Sequence, residues 1–234
     1  MIPLRDSNPT RSTPVLTYLI IAVNGLVYLY QASLDAESAK LFVERFGLVP
    51  AMLAREHYVG SLITPLTSMF MHGGLMHVLL NMWSLFIFGD NVEDTLGKLR
   101  FVLFYLVAGL GAAAAQVFVD PSSMIPMVGA SGAIAGVLAA YLRLFPHARV
   151  LTLIPLFIFF FTRELPAVIF IAFWFVMQVL SGVGSLSVAG NQATGGVAFF
   201  AHIGGFLMGL VLVGALTPTR NARGGFRRPE QSRY

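Results

Sequence analysis

The sequence predicts an all-α membrane protein, a bundle of six transmembrane helices with both termini in the cytoplasm. Three observations carry this. Of 234 residues, 56% are hydrophobic and only 11% charged, at a mean hydropathy of +0.76; a soluble domain carries about 25% charged residues. Uncharged runs long enough to cross a hydrocarbon core about 30 Å thick recur along the chain. The basic residues, finally, are shared unevenly among the connecting loops, as oriented membrane proteins require.

Met1 to Pro14 is polar and reads as a flexible cytoplasmic leader (residues 1–14). Val15 to Leu34 is uncharged and long enough to span. Asn24 interrupts it, a polar side chain suited to facing another helix. Asp35 to Glu56 mixes charges with Leu41, Phe42, Phe46, Leu48 and Val49, as short helices lying at the interface would. His57 to Gly89 is uncharged but too long for one upright span. Thr64-Pro65 and Gly73-Gly74 divide it, leaving Gly74 to Gly89 as the second span. Asp90 to Arg100 reads as a polar turn and Phe101 to Val119 as the third span. After a loop to Ala130, a short helix opens at Ser131 and is ended by Pro146. Val150 to Phe161 is apolar, contains Pro155 and is too short to span; it reads as an interfacial hairpin. Pro166 to Ser181 is the fifth span, with Pro166 suited to a first helical turn. Gly182 to Val197, rich in Gly, Ser, Asn and Thr, reads as a loop. Phe199 to Leu216 is the sixth span. Residues 15–216 thus form one domain, and 217–234 a basic, disordered cytoplasmic tail.

Six spans put both termini on one side, with the second-third and fourth-fifth connections. All fifteen Lys and Arg residues except Lys40, Arg45 and Arg55 fall on that side, which makes it cytoplasmic. The formal charge of +4 is therefore a topology signal and no evidence for nucleic acid. Cysteine is absent, which excludes disulfides, a thiolate nucleophile and a cysteine metal site.

Within this frame the polar residues that lie deep become informative. From Ser131 to Arg143, at the helical rise of ~1.5 Å per residue, is roughly 18 Å. His202 lies ~21 Å from Leu216 and His77 ~20 Å from Asp90 by the same rise. Three helices thus place Ser131, His202 and His77 at one depth, just above mid-membrane, and Asn81 shares the face of His77 at i+4. Each has a bland reading. Serine is a common N-cap, Gly132 and Gly136 suit close helix contact, and a lone buried histidine is usually a hydrogen-bonding residue. Their common level favours chemistry instead. A serine hydroxyl becomes a nucleophile when a neighbouring histidine takes its proton. Free N–H groups at a helix start, including that of Ser131, together with His77 and Asn81, suit a developing oxyanion. No acid accompanies them: from Leu165 to Gln231 the only one is Glu230, in the tail. A Ser–His dyad is expected.

The motifs His77-x-x-x-Asn81, Gly129-Ala-Ser131-Gly and Ala201-His202-Ile-Gly-Gly205-Phe-Leu-Met-Gly209, with Phe46-Gly-Leu-Val-Pro50 upstream, resemble those of the rhomboid intramembrane serine proteases. The resemblance covers nearly the whole chain. It implies a six-helix rhomboid bundle around a water-filled cavity open to the outside, with Ser131 as nucleophile, His202 as base, and His77 and Asn81 in the oxyanion hole. It implies that Gly205 and Gly209 let the sixth helix pack against the fourth. It also implies single-span membrane protein substrates in a lipid bilayer, no cofactor and no metal, and a bacterial cytoplasmic membrane is the expected location. Two departures stand out. Some members stack a tyrosine from one turn past the serine on the histidine, where this chain has Ala135, and some carry a Trp-Arg pair in the first loop, which has no Trp here.

Weaker candidates are His72, which could order water or bond the first loop, and Gln116, which could hold water near the dyad. Glu93 reads as structural, and Trp174 with its Phe-rich span as lipid-facing or a gate. His72 and His77 lack an acidic ligand to join them in a metal site. Two rival classes are weighed. An inactive rhomboid-like client-binding protein usually lacks the serine or the histidine, and both are present. A small six-helix transporter would want an inverted repeat and an intramembrane acid, and neither is found.

Overall fold

The computed structural model describes residues 1–53, 59–156, 159–188 and 198–218. Strand β1 (Ile2–Asp6) leads into helix α1 (Val15–Ser33). Short helices α2 (Ala36–Phe46), α3 (Pro50–Leu53) and α4 (Thr64–Thr67) follow. Then come α5 (Leu75–Leu96), α6 (Lys98–Val119) and α7 (Ser131–Leu144). A hairpin of β2 (Arg149–Leu156) and β3 (Phe159–Pro166) precedes α8 (Ala167–Val188) and α9 (Phe199–Leu216). Among the described residues, α1, α5, α6, α9 and the Ala167–Ser185 stretch of α8 are long and apolar enough to cross a membrane; α7 is apolar but has only 14 residues.

The core lies around α7, whose residues from Gly132 to Tyr141 are all buried. Small side chains make this possible. A Cβ added to Gly205 on α9 would stand 2.0 Å from the Gly132 carbonyl oxygen, and one on Gly209 would stand 2.5 Å from the Gly136 backbone. At the same seam α7 meets α6, where a Cβ on Gly132 or Gly136 would strike the methyls of Ala112 or Ala108. Without water to drive association, such van der Waals contact is what holds membrane helices together. The expected approach of the sixth helix to the fourth is therefore seen, with a third helix sharing the seam.

Several expectations need correction. The fold is not all-α: β1, β2 and β3 form a three-stranded antiparallel sheet in that order. The apolar 150–161 segment does form a hairpin, but a β-hairpin, with Arg149 paired to Pro166 and Leu156 to Phe159. The leader 1–14 is not free of structure either. Besides β1, Tyr141 Oη donates to the Asp6 carboxylate at 2.5 Å, Trp83 Nε1 to the Pro3 carbonyl at 2.6 Å and Thr10 Oγ1 to Asp90 at 2.7 Å. The segment Asp90 to Arg100 is not a turn. Helix α5 continues to Leu96, and Gly97, at φ 79°, is the whole connection to α6. Charge misled the reading here, because Glu93 is buried and accepts from the backbone N–H groups of Leu16 and Thr17 and from Thr17 Oγ1. It satisfies the open first turn of α1, a favourable place for a carboxylate. Last, the Gly182–Val197 loop is helical up to Val188. Residues 189–197 and the tail from 219 lie outside the described residues.

Pro166, expected in the first turn of the fifth span, instead closes β3, paired with Arg149, and α8 starts at Ala167. As expected, the α7 helix opens at Ser131, and the final span is Phe199–Leu216. Asn24 is fully buried, but its amide turns back to the Ile20 carbonyl of its own helix, 2.7 Å away.

The glycine seam makes a testable contrast. Gly209→Ala is expected to lower the denaturation midpoint in detergent, costing about 1–3 kcal/mol by overpacking against backbone. Gly25→Ala on α1, where nothing lies within 4 Å, should be neutral or stabilise by up to about 1 kcal/mol. Equal responses at the two positions would show that the seam is not tightly packed.

Candidate active site

Helix α7 begins without a capping side chain. Its N-cap is Ala130, and Ser131 is the first helical residue, so the serine is not spent on a cap. The hydroxyl instead faces α9, where Ser131 Oγ and His202 Nε2 are 2.7 Å apart. Gly129 shapes the approach. Its φ of 131° is one that L side chains rarely adopt, and a Cβ there would lie 2.9 Å from the His77 ring. Its N–H is held by the Ser68 carbonyl at 2.9 Å, and the preceding loop is tied to the first loop by reciprocal Leu48–Met127 backbone bonds.

These groups line a cavity of about 350 Å³ that also takes in Asn81 and Trp174. All four residues singled out from the sequence, Ser131, His202, His77 and Asn81, are thus brought to one space. His77 accepts a long hydrogen bond at Nδ1 from the Gly73 N–H (3.4 Å), which leaves Nε2 as its protonated nitrogen. The Asn81 amide donates to the His77 carbonyl one turn back, at 3.0 Å. One N–H of that amide is used in this bond, and the other remains for a partner in the cavity.

His72 and Gln116 are not among the residues that line the cavity. His72 exchanges backbone hydrogen bonds with the Gln31 side chain on α1, and its ring packs edge-on to His77, with centroids 5.0 Å apart. Burial, with a smaller contribution from His77, holds its imidazole down to about 4, so it is neutral. Gln116 buries its Oε1 without a hydrogen-bond partner among the described residues.

Two neighbours of His202 depart from the expectation: Gln178 is not singled out by the sequence reading, and Trp174, expected against lipid or at a gate, lines the cavity. Gln178 Oε1 lies 2.7 Å from His202 Nδ1. The Trp174 ring stands 5.9 Å from the imidazole, tilted by 38°. Both come from α8, one turn apart. The signal was present: Gln178 is the one amide in an otherwise apolar span, and polar residues inside the membrane call for a reason.

The residues 59–219 match the family model of the Rhomboid domain. Among curated proteins, "Rhomboid protein 1, mitochondrial" of Saccharomyces cerevisiae is 28% identical over 84% of this chain. "Putative rhomboid protease YdcA" and "Rhomboid protease GluP", both of Bacillus subtilis, are 34% and 35% identical over 56% and 55% of it. The chain spans about half the length of the yeast relative; the alignments cover 63% of YdcA and 24% of GluP.

The geometry predicts selective reactivity. A fluorophosphonate is expected to label the protein at Ser131, with labelling lost in Ser131→Ala and in His202→Ala and kept in Ser84→Ala, a second serine of the same cavity. Mass spectrometry of the adduct reads the position. Labelling that survives Ser131→Ala would dismiss this serine as the nucleophile.

Proposed function

The chain belongs to the rhomboid family, an integral membrane protein family that includes proteases, and on that premise we propose that it is an intramembrane serine endopeptidase working through Ser131 and His202. The observation that carries this is the 2.7 Å contact between Ser131 Oγ and His202 Nε2 inside the cavity. In the reaction, Nε2 takes the hydroxyl proton as Oγ attacks the carbonyl carbon of the scissile bond. The oxyanion accepts hydrogen bonds from the Ser131 N–H, His77 Nε2 and Asn81 Nδ2, donors already oriented before charge develops. His202 then returns the proton to the leaving amide nitrogen, and water, activated by the same imidazole, releases the acyl group from Ser131.

The substrate is a single-span membrane protein. A spanning helix shields its carbonyls in internal hydrogen bonds, so the segment must unwind before attack. Unwinding is easier where Gly or Pro weakens the helix, by about 1 and 3 kcal/mol relative to Ala. On this reading α7 is the fourth of six spanning elements, both termini are cytoplasmic, and the cut falls in the outer part of the substrate span. Residues 15–216 with the N-terminal strand make the protease domain, and the tail 217–234 lies in the cytoplasm. The distribution of basic residues and the bacterial relatives support a bacterial cytoplasmic membrane.

Cleavage of a reporter substrate with Gly or Pro in its outer third tests the proposal. Ser131→Ala and His202→Ala should each abolish cleavage, and the double variant should be no worse, because the pair acts as a unit. Asn81→Ala should lose about 10²–10³-fold yet stay measurable. Replacing the substrate's Gly or Pro by Leu should slow the cut. Full-rate cleavage by Ser131→Ala, or of the Leu substrate in its cytoplasmic half, would refute it.

A further inference from the structure

We propose that Gln178 is the positioning residue of the base, so that the site is a Ser131–His202–Gln178 triad whose third member is carried on α8. The inference rests on the protease reading and adds a residue to it.

An imidazole can accept the serine proton at Nε2 only if its own proton sits on Nδ1. The ring must be held in that tautomer and in that plane. Nδ1 of His202 has the Gln178 Oε1 at 2.7 Å on the side opposite Ser131. An amide oxygen accepts from Nδ1–H and favours the tautomer that leaves Nε2 free. Helices α8 and α9 carry no acid. A carboxylate at this depth would be costly to bury, whereas a glutamine offers the same acceptor without a charge.

A second contact restrains the ring. Trp174 is four residues before Gln178, hence on the same face of α8, and lies 5.9 Å from the imidazole. Trp174 also packs on Phe206, one turn past His202, and Phe175 stacks on Phe206 at 4.3 Å. The imidazole is thus held by Ser131 at one nitrogen, by Gln178 at the other and by Trp174 beside it. Ala135, one turn past the serine, has only a methyl and cannot stack. In this chain α8 does the orienting, and the base is aligned only while α8 lies against α9.

When His202 becomes imidazolium, its bond to Gln178 becomes charge-assisted and roughly twice as strong. The gain arises in the transition state, so its loss lowers kcat and leaves KM. A lone glutamine that merely satisfied its own polarity would have no such signature.

The test uses the full chain in detergent, with Gln178→Met, which keeps the length and removes the acceptor, and Gln178→Glu, which keeps an oxygen whether ionised or not. Gln178→Met is expected to lower kcat about 10- to 100-fold with KM unchanged. Gln178→Glu should recover most of that loss. Nitrogen NMR of histidine-labelled protein, with the His202 signal assigned by its loss in His202→Ala, should find Nδ1 protonated in the natural chain and a mixture of tautomers in Gln178→Met. Wild-type kcat in Gln178→Met, equal losses in Met and Glu, or an unchanged tautomer would overturn the inference. If the natural chain neither cleaves nor takes a fluorophosphonate, the protease reading falls, while the tautomer comparison still decides whether Gln178 sets the ring.

Discussion

The backbone of α9 lies directly on the backbone of α7, and the contact between Ser131 and His202 depends on it. Gly132 follows Ser131, and Gly205 stands three residues past His202, so a close backbone contact of the two helices lies beside the Ser131–His202 pair. The separation of Oγ from Nε2 is set by how nearly two peptide chains can touch. A packed interior transmits small displacements rather than absorbing them, which makes a seam of glycine and alanine a positioning device as well as an adhesive. Helix α6 completes it: Ala108 and Ala112 press on the same α7 glycines.

The polar groups divide into two sets by where they bond. Those near helix ends close open backbone groups. Glu93 serves the first turn of α1, and Asp94 receives the backbone N–H and hydroxyl of Ser12. Backbone left unpaired is what a membrane protein can least tolerate, and these acids remove that cost while tying the N-terminal segment to α5. The second set, His77, Asn81, Ser131, His202 and Gln178, converges from α5, α7, α8 and α9 on one region. Four helices meeting there put an imidazole on the serine hydroxyl, an amide oxygen on the imidazole, and further polar side chains around the cavity.

The sheet shows how far a sequence misleads when its partner is remote. Ile2 to Asp6 offers no local reason to be a strand; it becomes one because β2 presents an open edge with residues 150–153 in register. Asp90 to Leu96 reads as a loop because it is charged, yet its central carboxylate finds its donors on a helix more than seventy residues earlier. Gln178 is the same case inside the membrane. An amide in an apolar span is visible in the sequence, but nothing local says that it meets an imidazole on the next helix.

Hydrophobic runs determine spanning helices locally, because burial in lipid and internal hydrogen bonding are demands on each segment by itself. So α1, α6, α7 and α9 were legible to within a few residues, and helical rise alone suggested that Ser131, His202 and His77 share a level, from which they meet in one cavity. Residue types at equal depth also indicated a serine nucleophile and a histidine base. Depth, however, says nothing about which way a side chain faces. The tertiary structure alone decided that Ser131 and His202 touch, that Asn81 turns one N–H to its own helix, that Gln116 stays outside the cavity, and that α8 brings the Gln178 oxygen to His202 Nδ1. Those outcomes depend on the rotation of each helix about its axis, and that is fixed by which small residues on neighbouring helices allow backbones to meet.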